Sequence, residues 1–292
     1  MQVAAKDFAT DAAPVSVARA LRESGLQACD AKLLLQAVLD VNRAYLAAHD
    51  DQFLSPMQAA AYAERVQHRM AGEPTAYILG EREFYGLNFK ITPAVLIPRP
   101  ETELLVEMAL ERIPQDQSCK VLELGTGSGN IALTLARHRP LARITAVDCS
   151  EEALAVARQN AAQLLAANNR AVMFKKSDWF DALDGETYDL IISNPPYVAS
   201  DDAHLRQGDV RFEPRQALNG GAGGLECIRR IIQGAPSHLC AGGWLLFEHG
   251  YDQAHACMEL LAQSGFDRLF CAKDLAGIPR VSGGLIDGGM SY

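Results

Sequence analysis

Residues 194–197, with the sequence Asn-Pro-Pro-Tyr, have the residue types best suited to chemistry in this chain. They follow an apolar run that predicts a strand, so a rigid turn is expected at its end. Pro195 and Pro196 each fix a backbone φ angle near about −65° and remove an N–H donor, which leaves carbonyl oxygens as acceptors. The Asn194 carboxamide oxygen adds an acceptor, and the Tyr197 ring adds a flat apolar wall. We therefore predict a pocket for a planar NH2 group; the alternative is an ordinary turn.

A second segment with chemical potential, residues 125–129, has glycine at every other position and directly follows a predicted strand. Glycines at this spacing let the backbone approach a ligand, although a purely structural turn is the alternative. The pyrophosphate fingerprint of dinucleotide-binding proteins needs glycine at position 130, which is Asn130 here, so a nicotinamide cofactor is disfavoured. Asp148 ends the next predicted strand, where a carboxylate can accept two hydrogen bonds from a ribose diol. Asp148 alone fits an adenosyl cofactor, NAD, or a capping role ahead of a helix near Glu151.

Residues 177–180, Ser-Asp-Trp-Phe, close the third predicted strand with a carboxylate and two rings. Asp178 can accept a hydrogen bond from the amino group of an adenine while Trp179 packs on its face; the alternative is an aromatic anchor in the core. Ligands of open sheets bind beyond the carboxyl ends of the strands, where the strand order reverses. If the first and fourth strands are neighbours there, residues 125–129 and 194–197 face one pocket.

The elements that must position these residues follow from an alternation of strands and helices after Lys120, which predicts an α/β fold with a parallel sheet covered on both faces. Strands are predicted at 121–124, 144–147, 172–175, 190–193 and 244–247, and helices around 131–137, 151–165 and 225–238. Residues 266–272 and 280–286 predict a closing antiparallel pair. The glycines at 220, 221, 223 and 224 suggest a mobile loop.

Residues up to about 73 predict a small helical bundle. Apolar residues at helical spacing form one face of a helix: Ala31, Leu34, Leu35, Val38 and Leu39. Ser55 starts another helix with a capping box to Gln58 and a proline at the first helical position, and Gly72 ends it. We expect this bundle to be a packing or recognition module.

Residues 77–95 change to short β-like runs around a turn at Gly86 and Asn88, which predicts a hairpin linker. The proline-rich residues 97–103 then lead into a helix with Glu101 or Thr102 near its start. They are either a stiff connector or a segment that contacts the active site.

Length and composition restrict the class of protein. A chain of 292 residues predicts two domains at roughly 150 residues each. The formal net charge of −9 argues against a partner held through phosphates. The seven cysteines show no metal-binding spacing, so we expect reduced thiols, no metal and a cytoplasmic location. Neither a signal peptide nor a run of about 18 apolar residues is found, so no membrane segment is expected.

Taken together, the motifs resemble those of the release factor glutamine methyltransferases, the PrmC/HemK family. The resemblance rests on Leu-Glu-Leu-Gly-Thr-Gly-Ser-Gly at 122–129, Asp148, Ser-Asp-Trp at 177–179 and Asn-Pro-Pro-Tyr at 194–197. Ile-Pro-Arg-Pro-Glu-Thr-Glu at 97–103 and Gly-Asp-Val-Arg-Phe-Glu-Pro at 208–214 resemble two further stretches of that family. Nearly the whole chain is covered.

The resemblance implies a class I, Rossmann-like methyltransferase domain with a seven-stranded, mostly parallel sheet at 98–292. A helical substrate-recognition domain at 1–75 and a β-hairpin linker at 76–97 would precede it. The implied reaction transfers a methyl group from S-adenosyl-L-methionine to the side-chain amide nitrogen, N5, of the glutamine in the Gly-Gly-Gln motif of peptide chain release factors. We also expect a monomer that binds no nucleic acid directly.

The resemblance assigns roles residue by residue. Residues implied in cofactor binding are Gly125, Thr126, Gly127, Ser128, Gly129, Asp148, Trp179 and Asn194. Residues implied in holding the glutamine are Asn194, Pro195, Pro196 and Tyr197, of which Asn194, Pro195 and Tyr197 are the expected catalytic residues.

The proposed acceptor chemistry needs few groups. An amide nitrogen is a poor nucleophile because its lone pair is delocalised, so the Asn194 oxygen and the Pro195 carbonyl would each accept one N–H and direct the lone pair. No strong base is needed, and His204, Glu248 and His249 are expected to be surface or supporting groups. The nearest alternative is a methyltransferase acting on adenine N6 or guanine N2. A dinucleotide oxidoreductase and a cofactor-sensing module without turnover are more distant alternatives.

Overall fold

The computed structural model describes residues 14–165 and 171–287. The chain divides into two compact units, Met1–Gly80 and Glu81–Tyr292. The first 13 residues of the predicted amino-terminal domain and the last five of the predicted catalytic domain lie outside the described residues.

The first unit is built from helices, as predicted. Their bounds are α1 Val17–Glu23, α2 Ala28–Leu39, α3 Arg43–Ala48, α4 Pro56–Met70 and α5 Thr75–Leu79. The capping box of α4 is present, with Ser55 Oγ accepting from the Gln58 amide and Gln58 Oε1 accepting from the Ser55 amide. Buried side chains of α2 and α4, including Leu34, Leu35 and Tyr62, form the centre of its apolar core.

A two-stranded hairpin begins the second unit, with β1 Glu81–Phe84 antiparallel to β2 Leu87–Lys90. The prediction of a hairpin is confirmed, but two of its details are wrong. Residues 77–79 belong to α5, and Asn88 lies within β2, opposite Glu83. The turn is instead made by Tyr85 and Gly86, both with positive φ, which is the turn geometry that matches the twist of a hairpin.

A seven-stranded sheet forms the rest of the second unit, in the order β5-β4-β3-β6-β7-β9-β8. The strands are β3 Lys120–Leu124, β4 Arg143–Asp148, β5 Val172–Lys176, β6 Tyr188–Ser193, β7 Leu239–Glu248, β8 Phe266–Lys273 and β9 Pro279–Ile286. The first five are parallel, and β9 pairs antiparallel with both β7 and β8. This confirms the predicted α/β class, the mostly parallel sheet and the antiparallel closing pair.

The helices of the second unit are α6 Glu103–Arg112, α7 Asn130–His138, α8 Glu151–Leu164, α9 Glu226–Gly234 and α10 Ala254–Gln263. The order of the strands reverses at β3, because the chain runs outward through β4 and β5 and returns to β6 on the other side. The segments that follow β3 and β6 therefore leave neighbouring strands at the same edge, where ligands of open sheets bind.

One buried asparagine joins the hairpin to the glycine segment. Asn160 of α8 donates through Nδ2 to the carbonyls of Lys90 (3.1 Å) and Ser128 (2.9 Å). Its Oδ1 accepts from the Lys90 amide at 2.7 Å. A single side chain thus fixes β2 and the loop after β3 to the same helix.

Candidate active site

A cavity of about 450 Å³ lies at the switch point of the sheet, within the size range of small-molecule sites. Of the eleven residues to which the resemblance assigns roles, eight line it: Gly125, Thr126, Gly127, Ser128, Asp148, Trp179, Asn194 and Pro196. Three others, Gly129, Pro195 and Tyr197, are not among its lining residues. The structure therefore brings most of the predicted site residues around one space.

The glycine segment needs glycine for two different reasons. Gly125, Gly127 and Gly129 have φ angles of 72°, 54° and 81°, in the left-handed region that other residues rarely adopt. A Cβ at Gly125 or Gly127 would meet no atom within 4 Å, so backbone conformation alone selects glycine there. At Gly129 a Cβ would also crowd Leu133 Cδ1 at 3.1 Å and Ala157 Cβ at 3.2 Å. Gly129 therefore allows α7 and α8 to pack closely behind the loop.

Glu123, in β3, places a buried carboxylate at the cavity wall. Its Oε2 accepts from Thr126 Oγ1 at 2.6 Å and from the Ala132 amide at 3.1 Å. Its Oε1 is buried and has no partner among the described residues. Burial raises the pKa of Glu123 to about 8. Our sequence predictions did not assign this residue a role, although a carboxylate in an otherwise apolar strand was a signal for one.

Asp148 ends β4 and has both oxygens turned toward backbone amides. Oδ2 accepts from the Gly127 amide and Oδ1 from the Ser150 amide, both at 2.9 Å. Burial raises its pKa, and these hydrogen bonds oppose the shift. The helix-capping alternative is wrong, because Ser150 caps α8 by accepting from the Ala153 amide. Asp148 lines the cavity, and each of its oxygens has the capacity to accept a further hydrogen bond.

Trp179 has a strained backbone conformation, with φ of 53°, and its carbonyl accepts from Ser177 Oγ at 2.8 Å. Its ring both lines the cavity and packs on the core beneath the sheet. Asp178 also lines the cavity, and its carboxylate pairs with Arg230 at 3.2 Å. The predicted contacts of these residues with an adenine stay a prediction.

The Asn-Pro-Pro-Tyr turn is held at both ends. Asn194 Nδ2 donates to Thr102 Oγ1 at 3.0 Å, whereas its Oδ1 has no donor among the described residues. Tyr197 donates from its hydroxyl to Glu248 Oε1 at 3.1 Å, and its ring packs on the core. Burial raises the pKa of Tyr197. Asn194 and Pro196 therefore face the cavity, while Pro195 is buried and Tyr197 anchors the turn.

The glycine-rich residues 220–224 pack tightly against this turn, and the suggested mobility of this loop stays a prediction. A Cβ on Gly220 would lie 2.7 Å from the Pro196 carbonyl and 2.8 Å from Tyr197 Cα. A Cβ on Gly224 would lie 2.3 Å from the Tyr197 carbonyl. Gln253 Nε2 joins the two segments by donating to the carbonyls of Tyr197 and Gly224. The glycines allow two backbones to approach.

An ion pair connects the two outer motifs of the resemblance. Arg99 donates from Nη2 to Glu213 Oε1, and the Glu213 side chain is fully buried. Glu213 Oε2 accepts from the Ile97 amide at 3.4 Å. Arg99 and Pro214 both line the cavity. This answers the question left open for residues 97–103, which border the site rather than serving only as a connector.

His204, Glu248 and His249, which were not expected to be catalytic, do not line the cavity. His204 is exposed and pairs with Asp202. His249 is buried and contacts Ser282 Oγ through Nε2 at 2.9 Å. Glu248 is buried, and its pKa is raised to about 7 by burial.

Two family models match the chain. The PrmC N-terminal domain matches residues 15–80, and the methyltransferase small domain matches residues 101–211. Among solved structures, a methyltransferase from Pyrococcus furiosus has a TM-score of 0.53 at 20% identity, covering 77% of this chain and 99% of that one. This likeness concerns the fold alone.

Close relatives cover nearly the full chain. The release factor glutamine methyltransferase of Bordetella pertussis is 49% identical, over 91% of this chain and 97% of its own length. That of Burkholderia pseudomallei is 48% identical, over 96% and 99%. With the glycine segment, the Asn-Pro-Pro-Tyr turn and the fold in place, this chain belongs to the release factor glutamine methyltransferases.

Proposed function

We propose that this enzyme transfers a methyl group from S-adenosyl-L-methionine to N5 of the glutamine in the Gly-Gly-Gln motif of peptide chain release factors. The observation that carries the proposal is the side chain of Asn194. Its Nδ2 is engaged by Thr102, which leaves Oδ1 as an acceptor, and Asn194 lines the same cavity as the glycine loop. Family membership identifies the methyl acceptor as a glutamine of a release factor.

The residues around the cavity fit the cofactor. The unpartnered Glu123 Oε1 is suited to accept from the cofactor's ammonium group, and Asp148 is suited to accept from its ribose hydroxyls. Residues 125–128 offer a backbone surface without large side chains, and Trp179 offers a ring face. S-adenosyl-L-methionine supplies, when bound, an electrophilic methyl group on a positively charged sulfur. No cluster suited to a metal occurs in the described parts of the chain.

The protein's own contribution is to orient the substrate amide. Asn194 Oδ1 and the Pro195 carbonyl each accept one N–H of the glutamine side chain, which holds the nitrogen with its lone pair turned away from both acceptors. Such preorganised polar contacts and a near-attack geometry can lower the barrier by roughly 7 to 11 kcal/mol. After methyl transfer the charged nitrogen loses a proton readily to water, so no side chain needs to act as a strong base. Tyr197 contributes by anchoring the turn to Glu248.

Three supporting expectations complete the proposal. We expect the enzyme to act as a monomer in the cytoplasm and to bind its release factor without holding nucleic acid. All seven cysteines are unpaired thiols, as expected in a reducing compartment. The net charge of −9 disfavours contacts with phosphates.

The test is incubation with radiolabelled cofactor and either release factor or DNA. Label on the release factor is expected, and it should be absent when the Gly-Gly-Gln glutamine is replaced by glutamate. Label on DNA alone would instead support the adenine or guanine alternative.

The Asn194→Ala variant tests the acceptor role. Loss of one preorganised polar group should raise the activation free energy by about 2 to 4 kcal/mol, and kcat should fall accordingly. The matched control is Asn88→Ala, which replaces an exposed asparagine of β2 outside the cavity lining and should leave kcat unchanged. Full activity of Asn194→Ala would contradict the proposed role.

A further inference from the structure

Two buried polar contacts hold the Asn-Pro-Pro-Tyr turn, one at each end. Asn194 Nδ2 donates to Thr102 Oγ1 at 3.0 Å. Glu248 Oε1 accepts from the Tyr197 hydroxyl at 3.1 Å. Thr102 and Glu248 are each 1% exposed, so water does not compete for these contacts.

The hydroxyl of Thr102 has no other structural task in the residues around it. Thr102 ends a short 3-10 turn, Pro100–Thr102, at the start of α6, the position where a threonine commonly caps a helix. Here its side chain makes no capping hydrogen bond. The hydroxyl is directed instead at Asn194, which is 92 residues away in the chain.

The contact with Thr102 defines the orientation of the Asn194 carboxamide. A carboxamide has an oxygen that accepts and a nitrogen that donates, and the two ends have nearly the same shape. In the structure Nδ2 donates to Thr102 Oγ1, so Oδ1 lies on the opposite side of the group, away from Thr102. In the flipped orientation Nδ2 would face the substrate NH2 group, donor against donor.

We propose that Thr102 is a positioning residue that holds the Asn194 carboxamide with Oδ1 available to the substrate amide. This inference rests on the proposed function, because it assumes that Asn194 Oδ1 accepts from the substrate. Thr102 acts through Asn194 and takes no part in proton transfer.

The first test compares Thr102→Val with Thr102→Ser at saturating cofactor and release factor. Valine keeps the shape but removes the hydroxyl, so kcat should fall roughly tenfold, less than the roughly 10²-fold loss expected when a preorganised group is removed outright. Serine keeps the hydroxyl and should restore kcat to within about twofold. The Kd for S-adenosyl-L-methionine and the KM for release factor should stay within about twofold in both variants. Ser282→Ala is the control for losing a buried hydroxyl, and it should leave kcat unchanged.

The second test is the double variant Thr102→Val with Asn194→Ala. If Thr102 acts only through Asn194, the double variant should be no slower than Asn194→Ala alone, because the two losses are not independent.

Three results would overturn the inference. These are an unchanged kcat in Thr102→Val, a Thr102→Val loss that multiplies fully onto that of Asn194→Ala, and a Kd for the cofactor that weakens in step with kcat. If Asn194→Ala itself retains full activity, the proposed acceptor role fails and the inference fails with it. A failure of the inference alone is recognised by an impaired Asn194→Ala combined with any of those three results.

Discussion

At the residue scale, Glu123 combines two unusual properties. Its carboxyl group is buried with one oxygen unpartnered, which costs free energy if the group is ionised and nothing compensates. The pKa raised to about 8 is the response to that cost, because the neutral form is cheaper to bury. Because Glu123 lies at the cavity wall, a hydrogen-bond donor or a cation bound in the cavity would offset the free-energy cost of burying its carboxylate.

The Glu123→Gln variant should therefore change the pH dependence of stability. In the wild type, the folded state holds a proton that the unfolded state releases above its ordinary pKa of about 4.5. The free energy of unfolding of the wild type should then fall relative to the variant as pH rises from 5 to 8, by more than about 1 kcal/mol. Urea denaturation at several pH values measures this.

The exposed Glu111 provides the control, since Glu111→Gln should follow the wild-type curve in shape. Parallel curves for the wild type and Glu123→Gln between pH 5 and 8 would contradict the argument.

Sequence reasoning identified the residues whose type is unusual for their position. Asp148 is the last residue of β4 and Asn194 directly follows β6, and the geometry of the parallel sheet brings both residues to the same edge. It did not find Thr102 or Glu248 as partners of the turn. Their roles depend on hydrogen bonds across long sequence separations, and no local pattern encodes those.

At the scale of elements, the segment that holds the Asn-Pro-Pro-Tyr turn is built by close backbone approach. An isolated parallel bridge between Val198 and Asn219 aligns the segment after the turn with the glycine-rich segment, and Gly220 directly follows this bridge. A turn clamped in this way keeps its carbonyl oxygens in place without further side chains.

The Gly220→Ala variant should displace the turn. Its Cβ would lie 2.6 Å from the Gly224 carbonyl and 2.7 Å from the Pro196 carbonyl, so the backbone has to move. We expect kcat to fall at least tenfold, because small displacements of positioning groups cost about 10²-fold in rate. Steady-state kinetics measure the loss.

Gly223→Ala is the matched control in the same loop. Gly223, unlike Gly220, has a positive φ, so alanine costs roughly 1 kcal/mol of backbone strain there, but its Cβ would meet no atom within 4 Å. A loss of kcat as large in Gly223→Ala as in Gly220→Ala would show that general loop strain, rather than contact with the turn, is responsible.

The strands were predictable because β3 and its neighbours are mostly apolar runs bounded by polar residues, which is typical of buried parallel strands. The turn of the hairpin was placed too late, since Asn88 has high turn propensity while Tyr85 does not. Pairing between β1 and β2 overrides that local preference and puts Tyr85 at a φ of 52°.

At the scale of the whole molecule, each of the two units has its own apolar core. Every residue that lines the cavity lies between Ala94 and Cys227, within the second unit. The cavity is therefore lined by residues of one unit alone. We propose that residues 1–75 serve to recognise the protein substrate and that residues 76–97 link them to a catalytic domain at 98–292.

A chain that begins at Glu81 tests this division of tasks. It should unfold cooperatively and bind S-adenosyl-L-methionine with a Kd within about threefold of the full chain, because the core and the cavity are retained. Its kcat/KM should fall at least tenfold with intact release factor, but little with a short Gly-Gly-Gln peptide. Isothermal titration and methylation assays measure the two effects.

Equal loss with peptide and intact release factor would mean that the first unit does not recognise the substrate. The full-length chain, assayed with the same peptide, is the control.

The fold class followed from the alternation of elements, since few topologies accommodate that order of strands. The motif residues, in turn, implied the family. Within the described residues, no helix has the length and apolar character that a membrane crossing requires. Tight packing at residues 220–224 could not be predicted, because glycine composition is the same for a loose loop and for two backbones in contact.

The pair of acceptors proposed at the turn also limits how far the reaction can go. An unmodified glutamine amide has two N–H groups, one for Asn194 Oδ1 and one for the Pro195 carbonyl. The methylated product keeps a single N–H and carries a methyl group where the second acceptor contact was made. The product therefore cannot bind again in the reactive orientation. A site that requires two N–H donors on its substrate therefore transfers a single methyl group to each glutamine.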